Sequence, residues 1–167
     1  MNIYILRHGI AVEHGSPDFE KDADRPLTPE GEKQLRKSAR AMKRMKLEFD
    51  LILSSPLVRA RQTAEIVAGE MKARKRLEIS DALTPGGDVE ALVRQLNERE
   101  PAPEGVLLVG HEPYLSRLIS WLTSGGENTA VDFKKGGLCK LETGQLRAGK
   151  CAALAWLLTP KQMKWMV

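Results

Sequence analysis

The stretch Gly105-Val-Leu-Leu-Val-Gly110 is the segment that decides the fold of this 167-residue sequence. Its apolar residues do not alternate with polar ones, which is typical of a strand that is covered on both faces. Short strand-like runs also occur at 2–6 and 51–53, and helical patterns separate them. This alternation predicts an α/β fold, a three-layer αβα sandwich with helices on both faces of a mainly parallel sheet.

Capping residues and breakers predict the remaining elements. Thr28 followed by Pro29 is a typical helix start, because threonine caps the first amide groups and proline suits the first turn. No linker, repeat or low-complexity tract interrupts the pattern, so we expect a single domain over residues 1–167. The predicted strands are 2–6, 51–53, 77–79, 105–110, 137–142 and 152–158, and helices are predicted from Thr28, from Val58 to about Lys72, from Asp88 and from Pro113.

The composition excludes several classes of protein. The chain has 42% hydrophobic residues and a formal net charge of +4, which is ordinary for a globular domain and unlike a disordered chain. Its longest apolar stretch, 151–158, is far shorter than the ~20 residues of a membrane span, and Arg7 interrupts the first apolar run before it resembles a signal peptide. We therefore expect a cytoplasmic protein without a membrane partner, with Cys139 and Cys151 unpaired.

Seven basic residues lie between Lys33 and Lys46 and contribute to a sequence pI near 9.1. Leu35, Ala39 and Met42 recur at helical spacing between them, so the basic residues are predicted to form the solvated face of an amphipathic helix. No aromatic residues are interleaved to stack on bases, and we therefore expect no nucleic-acid partner. A docking role for an acidic protein partner is left open.

Polar clusters follow three of the predicted strands. Arg7-His8-Gly9 follows the first, Ser54-Ser55-Pro56 with Arg59 follows the second, and His111 follows the central strand. Ligands of such sheets bind beyond the carboxyl ends of the strands, so two arginines and two of the three histidines are expected at one edge. Guanidinium groups suit phosphate oxygens, and an imidazole can attack phosphorus. The arginines are also expected to lower the pKa of a neighbouring histidine and keep it neutral.

The sequence lacks the residues that other classes of phosphate-processing enzyme require. The positions six residues after the cysteines hold Gln145 and Leu157, so the C-x5-R loop of cysteine phosphatases is absent. A P-loop is also absent, and Asp22-Ala23-Asp24 lacks the context of an aspartyl phosphatase. The third histidine, His14, lies in a polar loop and is predicted to be a surface residue.

Five ordered motifs resemble the histidine phosphatase superfamily, which has the phosphoglycerate-mutase-like fold. The compact length and the R-P-L-T and L-T-P-G-G-D segments resemble its SixA-type phosphohistidine phosphatase branch, and the resemblance covers essentially the whole chain. The motifs are L-R-H-G at 6–9, D-R-P-L-T-P-E-G at 24–31, S-S-P-L-V-R-A-R-Q-T-A at 54–64, L-T-P-G-G-D at 83–88 and V-G-H-E-P at 109–113.

The resemblance implies a role for each residue of the polar clusters. His8 is implied to be the nucleophile that becomes phosphorylated, while Arg7, Arg59 and His111 bind the phosphoryl oxygens. Gly9 would keep the loop tight, and a backbone carbonyl would hold the other ring nitrogen of His8. No metal and no other cofactor is implied.

Two positions remain open. Arg25, in R-P-L-T, is a candidate for binding substrate at the rim of the site, or for an ion pair that holds the long loop. Many members of the superfamily carry a glutamate before L-T-P that protonates the leaving oxygen, whereas this sequence has only Asp81 there. An imidazole leaving from phosphohistidine does not need that acid, which favours a P–N substrate over a sugar phosphate.

Three hypotheses follow. The first is a phosphohistidine phosphatase that acts through phospho-His8 on a histidine phosphotransfer domain or a phosphotransfer-system component. The second is a general phosphomonoesterase for small molecules, with Asp81 as the acid. The third is an inactive module that binds a phosphorylated ligand. The connection between the second helix and the central strand is too short for a large cap, and an open site favours the first.

Overall fold

The computed structural model describes residues 1–167 and contains one six-stranded sheet. The strands are β1 Asn2–Arg7, β2 Leu51–Ser54, β3 Leu77–Ile79, β4 Gly105–Gly110, β5 Leu138–Glu142 and β6 Ala153–Leu158. Their order in the sheet is β3-β2-β4-β1-β5-β6. Strand β4 pairs in parallel with both β1 and β2, and β2 pairs in parallel with β3. The antiparallel strands β5 and β6 extend the sheet beyond β1, so the predicted mainly parallel sheet is confirmed.

Five α-helices surround the sheet, and four of them are predicted by the sequence. The helices are α1 Pro29–Arg44, α2 Val58–Glu70, α3 Val89–Asn97, α4 Tyr114–Ser124 and α5 Pro160–Lys164, with 3₁₀ turns at Asp22–Asp24, Arg74–Arg76 and Asp81–Leu83. Helix α2 ends at Glu70, slightly earlier than expected, and α4 begins at Tyr114 with Pro113 as its N-cap. The unpredicted helix α5 is only five residues long, and the side chain of Thr159 caps it by accepting from the Gln162 amide.

Two hydrophobic cores lie on opposite faces of the sheet. Ile3 and Ile5 of β1 pack in the core that includes α3 and α4, whereas Tyr4 and Leu6 pack in the core that includes α1, α2 and α5. Successive side chains of a strand point to opposite faces, so a strand covered on both sides must be apolar throughout. This arrangement confirms the three-layer αβα sandwich.

The register of the parallel strands brings the three polar clusters to one edge of the sheet. Arg7 is paired with Gly110, and Ser54 with Val109. The next backbone amides continue the pairing, since His8 donates to the Gly110 carbonyl at 3.0 Å and Ser55 donates to the Val109 carbonyl at 3.0 Å. The residues that follow β1, β2 and β4 are therefore neighbours in space.

The state of the cysteines and the character of the helices are also defined by the fold. Cys139 and Cys151 are both free thiols, as predicted. None of the helices combines the length and the apolar character that crossing a membrane requires.

Candidate active site

His8 lies at the end of β1 with only 6% of its surface exposed. Its Nδ1 is 2.7 Å from the carbonyl oxygen of Gly9. A carbonyl oxygen only accepts hydrogen bonds, so Nδ1 must carry the proton and donate it. The predicted backbone contact is confirmed, and it leaves the lone pair of the imidazole on Nε2.

His111 lies beside His8, with 5.1 Å between the two ring centroids. Its Nε2 is 2.8 Å from Oγ of Ser55, and that oxygen also accepts from the Leu57 amide. When the Ser55 hydroxyl donates to Nε2, the His111 ring carries its proton on Nδ1. This Nδ1 is buried and has no hydrogen-bond partner. The sequence contains Ser55 in a recognised motif, but its contact with His111 was not predicted.

Arg7 and Arg59 complete the cluster and are held by different loops. Arg7 Nη1 donates to the Phe133 carbonyl at 2.7 Å. Arg59, whose side chain is 4% exposed, donates through Nη1 to the Asp22 carbonyl at 2.8 Å and through Nη2 to the Asp22 carboxylate at 2.9 Å. The Nε atoms of both arginines are buried without a partner. Buried unpaired donors are costly, and an oxyanion would satisfy them.

The environment keeps both imidazoles neutral. The pKa of His8 falls from its ordinary value of 6.5 to about 3, and the pKa of His111 falls to about 4. Burial is the largest cause in each case, and the charges of Arg59 and Arg7 act in the same direction. The predicted lowering of the pKa and the contribution of the arginines to it are thus confirmed. Burial, which the sequence analysis did not include, contributes more because it disfavours the charged form.

Gly9 connects the two halves of the site through its backbone. Its amide donates to Oγ1 of Thr63 at 3.1 Å, and the Thr63 hydroxyl donates to the Arg59 carbonyl at 2.7 Å. A Cβ atom at position 9 would lie 2.6 Å from Cδ1 of Leu35, closer than packed atoms approach. The close packing supports the expectation that Gly9 keeps this loop tight, whereas the linking role of Thr63 was not predicted.

Asp22 is a further residue of this site whose role the sequence analysis did not predict. It lies in the loop between β1 and α1, and its carboxylate accepts from Arg59 and also from Nε of Arg25 at 2.8 Å. Partial burial opposes its ionisation, but the hydrogen bonds and charges of the two arginines outweigh burial and lower its pKa. Asp22 is therefore an ionised acceptor that joins two guanidinium groups.

Known proteins with the same pattern identify the family. The sequence model of the histidine phosphatase superfamily (branch 1) matches residues 3–84. Phosphohistidine phosphatase SixA of Escherichia coli K12 is 34% identical over 128 residues, which cover 75% of this chain and 76% of SixA. The chain belongs to the histidine phosphatase superfamily.

Solved structures of histidine phosphatases have the same architecture. The structure of SixA complexed with tungstate matches with a TM-score of 0.84 and 28% identity, over 98% of this chain and 100% of that one. The α-ribazole phosphatase of Shigella flexneri matches with a TM-score of 0.74 and 21% identity, over 96% of this chain and 97% of its own. The predicted SixA-type resemblance is confirmed, and the second match shows that the superfamily fold also carries other phosphatases.

Arg25 has the contacts of a residue that holds the long loop of this histidine phosphatase. Besides Asp22 it donates to the carbonyl of Val12, so two points of the loop are attached to one guanidinium group. The ion-pair alternative raised from the sequence therefore describes these contacts. A direct contact between Arg25 and substrate stays a prediction.

The remaining candidates lie outside the cluster. The Asp81 side chain is exposed and forms no hydrogen bond or ion pair, so its role as an acid stays a prediction. His14 has an 81% exposed side chain, 3.9 Å from the Asp22 carboxylate, and is the surface residue that was predicted. No group of three or more His, Cys, Asp or Glu side chains is arranged to hold a metal ion, and catalysis without a metal remains to be tested.

We expect the protein to lose stability in mild acid, because His8 and His111 are buried as neutral imidazoles. Below pH 6.5 the unfolded chain takes up a proton at each histidine, whereas the folded protein does so only near the lowered pKa values of about 3 and 4. The unfolded state then binds more protons, so we expect the free energy of unfolding to fall between pH 6.5 and 4 by up to about 1.4 kcal/mol per pH unit for each histidine. Urea unfolding at pH 7, 6 and 5 measures this slope.

The double variant His8→Gln/His111→Gln is compared with the wild type in the same urea unfolding experiment. We expect it to lose most of this pH dependence, and His14→Gln, which changes an exposed histidine outside the site, is the matched control. A double variant with the same pH slope as the wild type would contradict the assignment to these two imidazoles.

Proposed function

We propose that this protein is a phosphohistidine phosphatase that removes phosphate from a phosphohistidine-bearing protein through a covalent phospho-His8 intermediate. One observation carries the proposal: the Gly9 carbonyl fixes the proton of His8 on Nδ1, which leaves a neutral Nε2 beside His111 and two guanidinium groups. A neutral, oriented imidazole of this kind is an activated nucleophile for phosphorus.

The first step transfers the phosphoryl group to the enzyme. The lone pair of His8 Nε2 attacks phosphorus, and the P–N bond to the substrate imidazole breaks as its electron pair returns to the leaving nitrogen. Charge spreads over the three phosphoryl oxygens, where Arg7, Arg59 and His111 are placed to donate hydrogen bonds. A leaving imidazole that carries a proton on its other nitrogen departs as a neutral molecule, so no proton is needed from the enzyme.

The second step returns the enzyme to its starting state. Water attacks the phosphorus of phospho-His8, the bond to Nε2 breaks, and inorganic phosphate leaves with the oxygen and protons of the water. The hydrogen bond from Nδ1 to the Gly9 carbonyl is compatible with both steps and keeps the ring oriented. No metal ion or cofactor has a part in this scheme.

The carboxylates around the site support a P–N substrate. Asp22 is held ionised by two arginines and therefore lacks a proton to give. Glu112, next to His111, accepts from the Ser116 amide at the start of α4. The Asp81 side chain is exposed and forms no hydrogen bond or ion pair. An alkoxide leaving group requires a proton donor, whereas an imidazole does not, so this environment suits phosphohistidine.

The relatives support the same substrate class. SixA, named a phosphohistidine phosphatase, matches most of this chain, and its structure holds tungstate, an oxyanion of tetrahedral type. The substrate we propose is a histidine phosphotransfer domain or a phosphotransfer-system component. A cytoplasmic location, where both cysteines would stay reduced, is part of the proposal.

A general phosphomonoesterase is the second candidate. The 3₁₀ turn with Asp81 packs against the end of β4, since the Leu83 carbonyl oxygen would lie 3.2 Å from a Cβ atom at Gly110. In this candidate Asp81 is the acid that protonates the leaving oxygen. The third hypothesis, an inactive binding module, is disfavoured because all four residues of the cluster are present and adjacent.

Phosphate release from two substrates separates these functions. With EDTA present, we expect kcat/KM to be at least about 100-fold higher for a phosphohistidine-bearing protein than for an alkyl phosphate, because the missing acid is worth about 10² to 10⁴ in rate. Asp81→Asn should leave the release from phosphohistidine unchanged. Preference for the alkyl phosphate, with loss of that activity in Asp81→Asn, would instead assign a phosphomonoesterase.

A further inference from the structure

A basic groove lies between helices α1 and α5. Lys33 and Lys37 line it from α1, and Lys161 and Lys164 line it from α5, with Glu30 as the single carboxylate. None of the four lysines forms an ion pair or a side-chain hydrogen bond. Two arginines of α1 differ in this respect, because Arg36 is paired with Glu32 and Arg40 with Glu70. The charge of the groove is therefore available to a partner.

The short loop 133–136 joins this groove to the candidate active site. The Phe133 carbonyl accepts from Arg7, and the Gly136 amide donates to the carbonyls of Arg7 and His8 at 3.1 and 3.0 Å. On its other side the loop touches the groove, because a Cβ atom at Gly136 would lie 3.2 Å from Cγ of Pro160. The loop 133–136 therefore contacts Arg7 and His8 on one side and the groove on the other.

The loop carries further positive charge. Lys134 and Lys135 are both exposed, and of the two only Lys134 has a partner, Asp132 at 2.8 Å. The loop and the groove together hold six lysines against two carboxylates, an excess of four positive charges that equals the formal net charge of +4 of the whole chain. We call these residues the basic docking surface: Glu30, Lys33, Lys37, Asp132, Lys134, Lys135, Lys161 and Lys164.

We propose that the basic docking surface binds an acidic segment of the protein that presents the phosphohistidine. This inference rests on the proposed function and names the partner's chemistry. Clustered charge of one sign attracts a partner of opposite charge and raises its rate of association. Continuity with the loop beside Arg7 and His8 favours the substrate protein as the occupant. The groove lacks the aromatic side chains on which a single-stranded nucleic acid would stack.

Two phosphohistidine peptides of equal length test the proposal, one flanked by aspartate and glutamate and the other by serine and glutamine. At low salt we expect the wild type to process the acidic peptide with about tenfold higher kcat/KM, mainly through a lower KM. The variant Lys33→Glu/Lys161→Glu changes two exposed positions of the groove and should abolish this preference. Its hydrolysis of free phosphoramidate should stay at the wild-type level, because a small substrate does not reach the groove.

Lys43→Glu/Lys75→Glu is the matched control. It changes the net charge by the same amount at two exposed positions, one in the last turn of α1 and one in the 3₁₀ turn before β3. We expect this variant to keep the preference for the acidic peptide. Equal loss in both variants would show a general charge effect, and an unchanged preference in Lys33→Glu/Lys161→Glu would show that the surface is not used. Either result overturns the proposal.

Binding assays separate this proposal from the proposed function. If the wild type releases phosphate from neither peptide, the proposed function fails, while fluorescence anisotropy with the unphosphorylated acidic peptide still tests the surface. We expect the peptide to bind the wild type at least about fivefold more tightly than Lys33→Glu/Lys161→Glu. Binding of an RNA oligonucleotide or of phosphatidylserine vesicles through these lysines, without binding of the acidic peptide, would overturn it.

Discussion

Replacement of His8 by alanine is expected to lower the release of phosphate from a phosphohistidine-bearing protein by at least about 10⁴-fold, since loss of a covalent nucleophile has effects of this size or larger. The variant lacks the Nε2 lone pair that the Gly9 carbonyl orients in the wild type. Incubation with a radiolabelled phosphohistidine substrate, followed by rapid quenching, should show an acid-labile phosphoenzyme in the wild type and none in His8→Ala.

His14→Ala is the matched control, because His14 is an exposed histidine outside the cluster. It should be labelled and turn over like the wild type. Circular dichroism and urea unfolding check that His8→Ala remains folded. A folded His8→Ala protein that still takes up label would contradict the assignment, and mapping the label to His111 would exchange the roles of the two histidines.

Replacement of Arg59 by alanine is expected to lower kcat/KM by about 10³-fold or more, because positioned arginines contribute about 10³ to 10⁵ in rate where phosphoryl transfer has been measured. Arg59→Lys should recover little of this loss, since an ammonium group cannot hold two oxygens in the planar geometry of a guanidinium. The same variants should bind tungstate more weakly in calorimetric titrations, because Arg59 is proposed to bind the phosphoryl oxygens.

The control for Arg59 is two residues away in the same helix. Arg61 is exposed and only pairs with Glu65 at 3.6 Å, so Arg61→Ala should change activity by less than about twofold and stability by less than about 0.5 kcal/mol. Arg59 also holds Asp22, and a purely structural role is the competing explanation. Full activity in a folded Arg59→Ala protein would show that the residue only attaches the loop.

Asp22 competes with an incoming phosphoryl oxygen for the Arg59 guanidinium in the proposed site. Both Nη atoms of Arg59 are engaged by Asp22, while its Nε and that of Arg7 have no partner. A phosphoryl oxygen that approaches Arg59 therefore either uses Nε or shares the guanidinium with the carboxylate. Arg25 offsets part of the negative charge of Asp22, which keeps the site attractive to an anion.

The sequence by itself determined the architecture and the four central residues of the site. The continuous apolar run of β4 required helices on both faces of the sheet, and parallel pairing then required that residues following β1, β2 and β4 share one edge. Arg7, Arg59 and His111 converge on His8 for this reason, close enough for their charges to act on its imidazole. Strand and helix patterns are read from residues that are near one another in the chain. The geometry of a parallel sheet then predicts which distant residues lie together, because the carboxyl ends of its strands share one edge.

Only the tertiary structure decided the partners of these residues. Asp22 meets Arg59 across a loop, Ser55 meets His111 across two strands, and the segment before Gly137 reaches the Arg7 guanidinium. The depth of burial that lowers the pKa of both histidines also depends on how distant elements pack. Contacts of this kind follow from the shapes of surfaces that meet in the folded chain, and no periodicity or capping pattern within one segment contains that information.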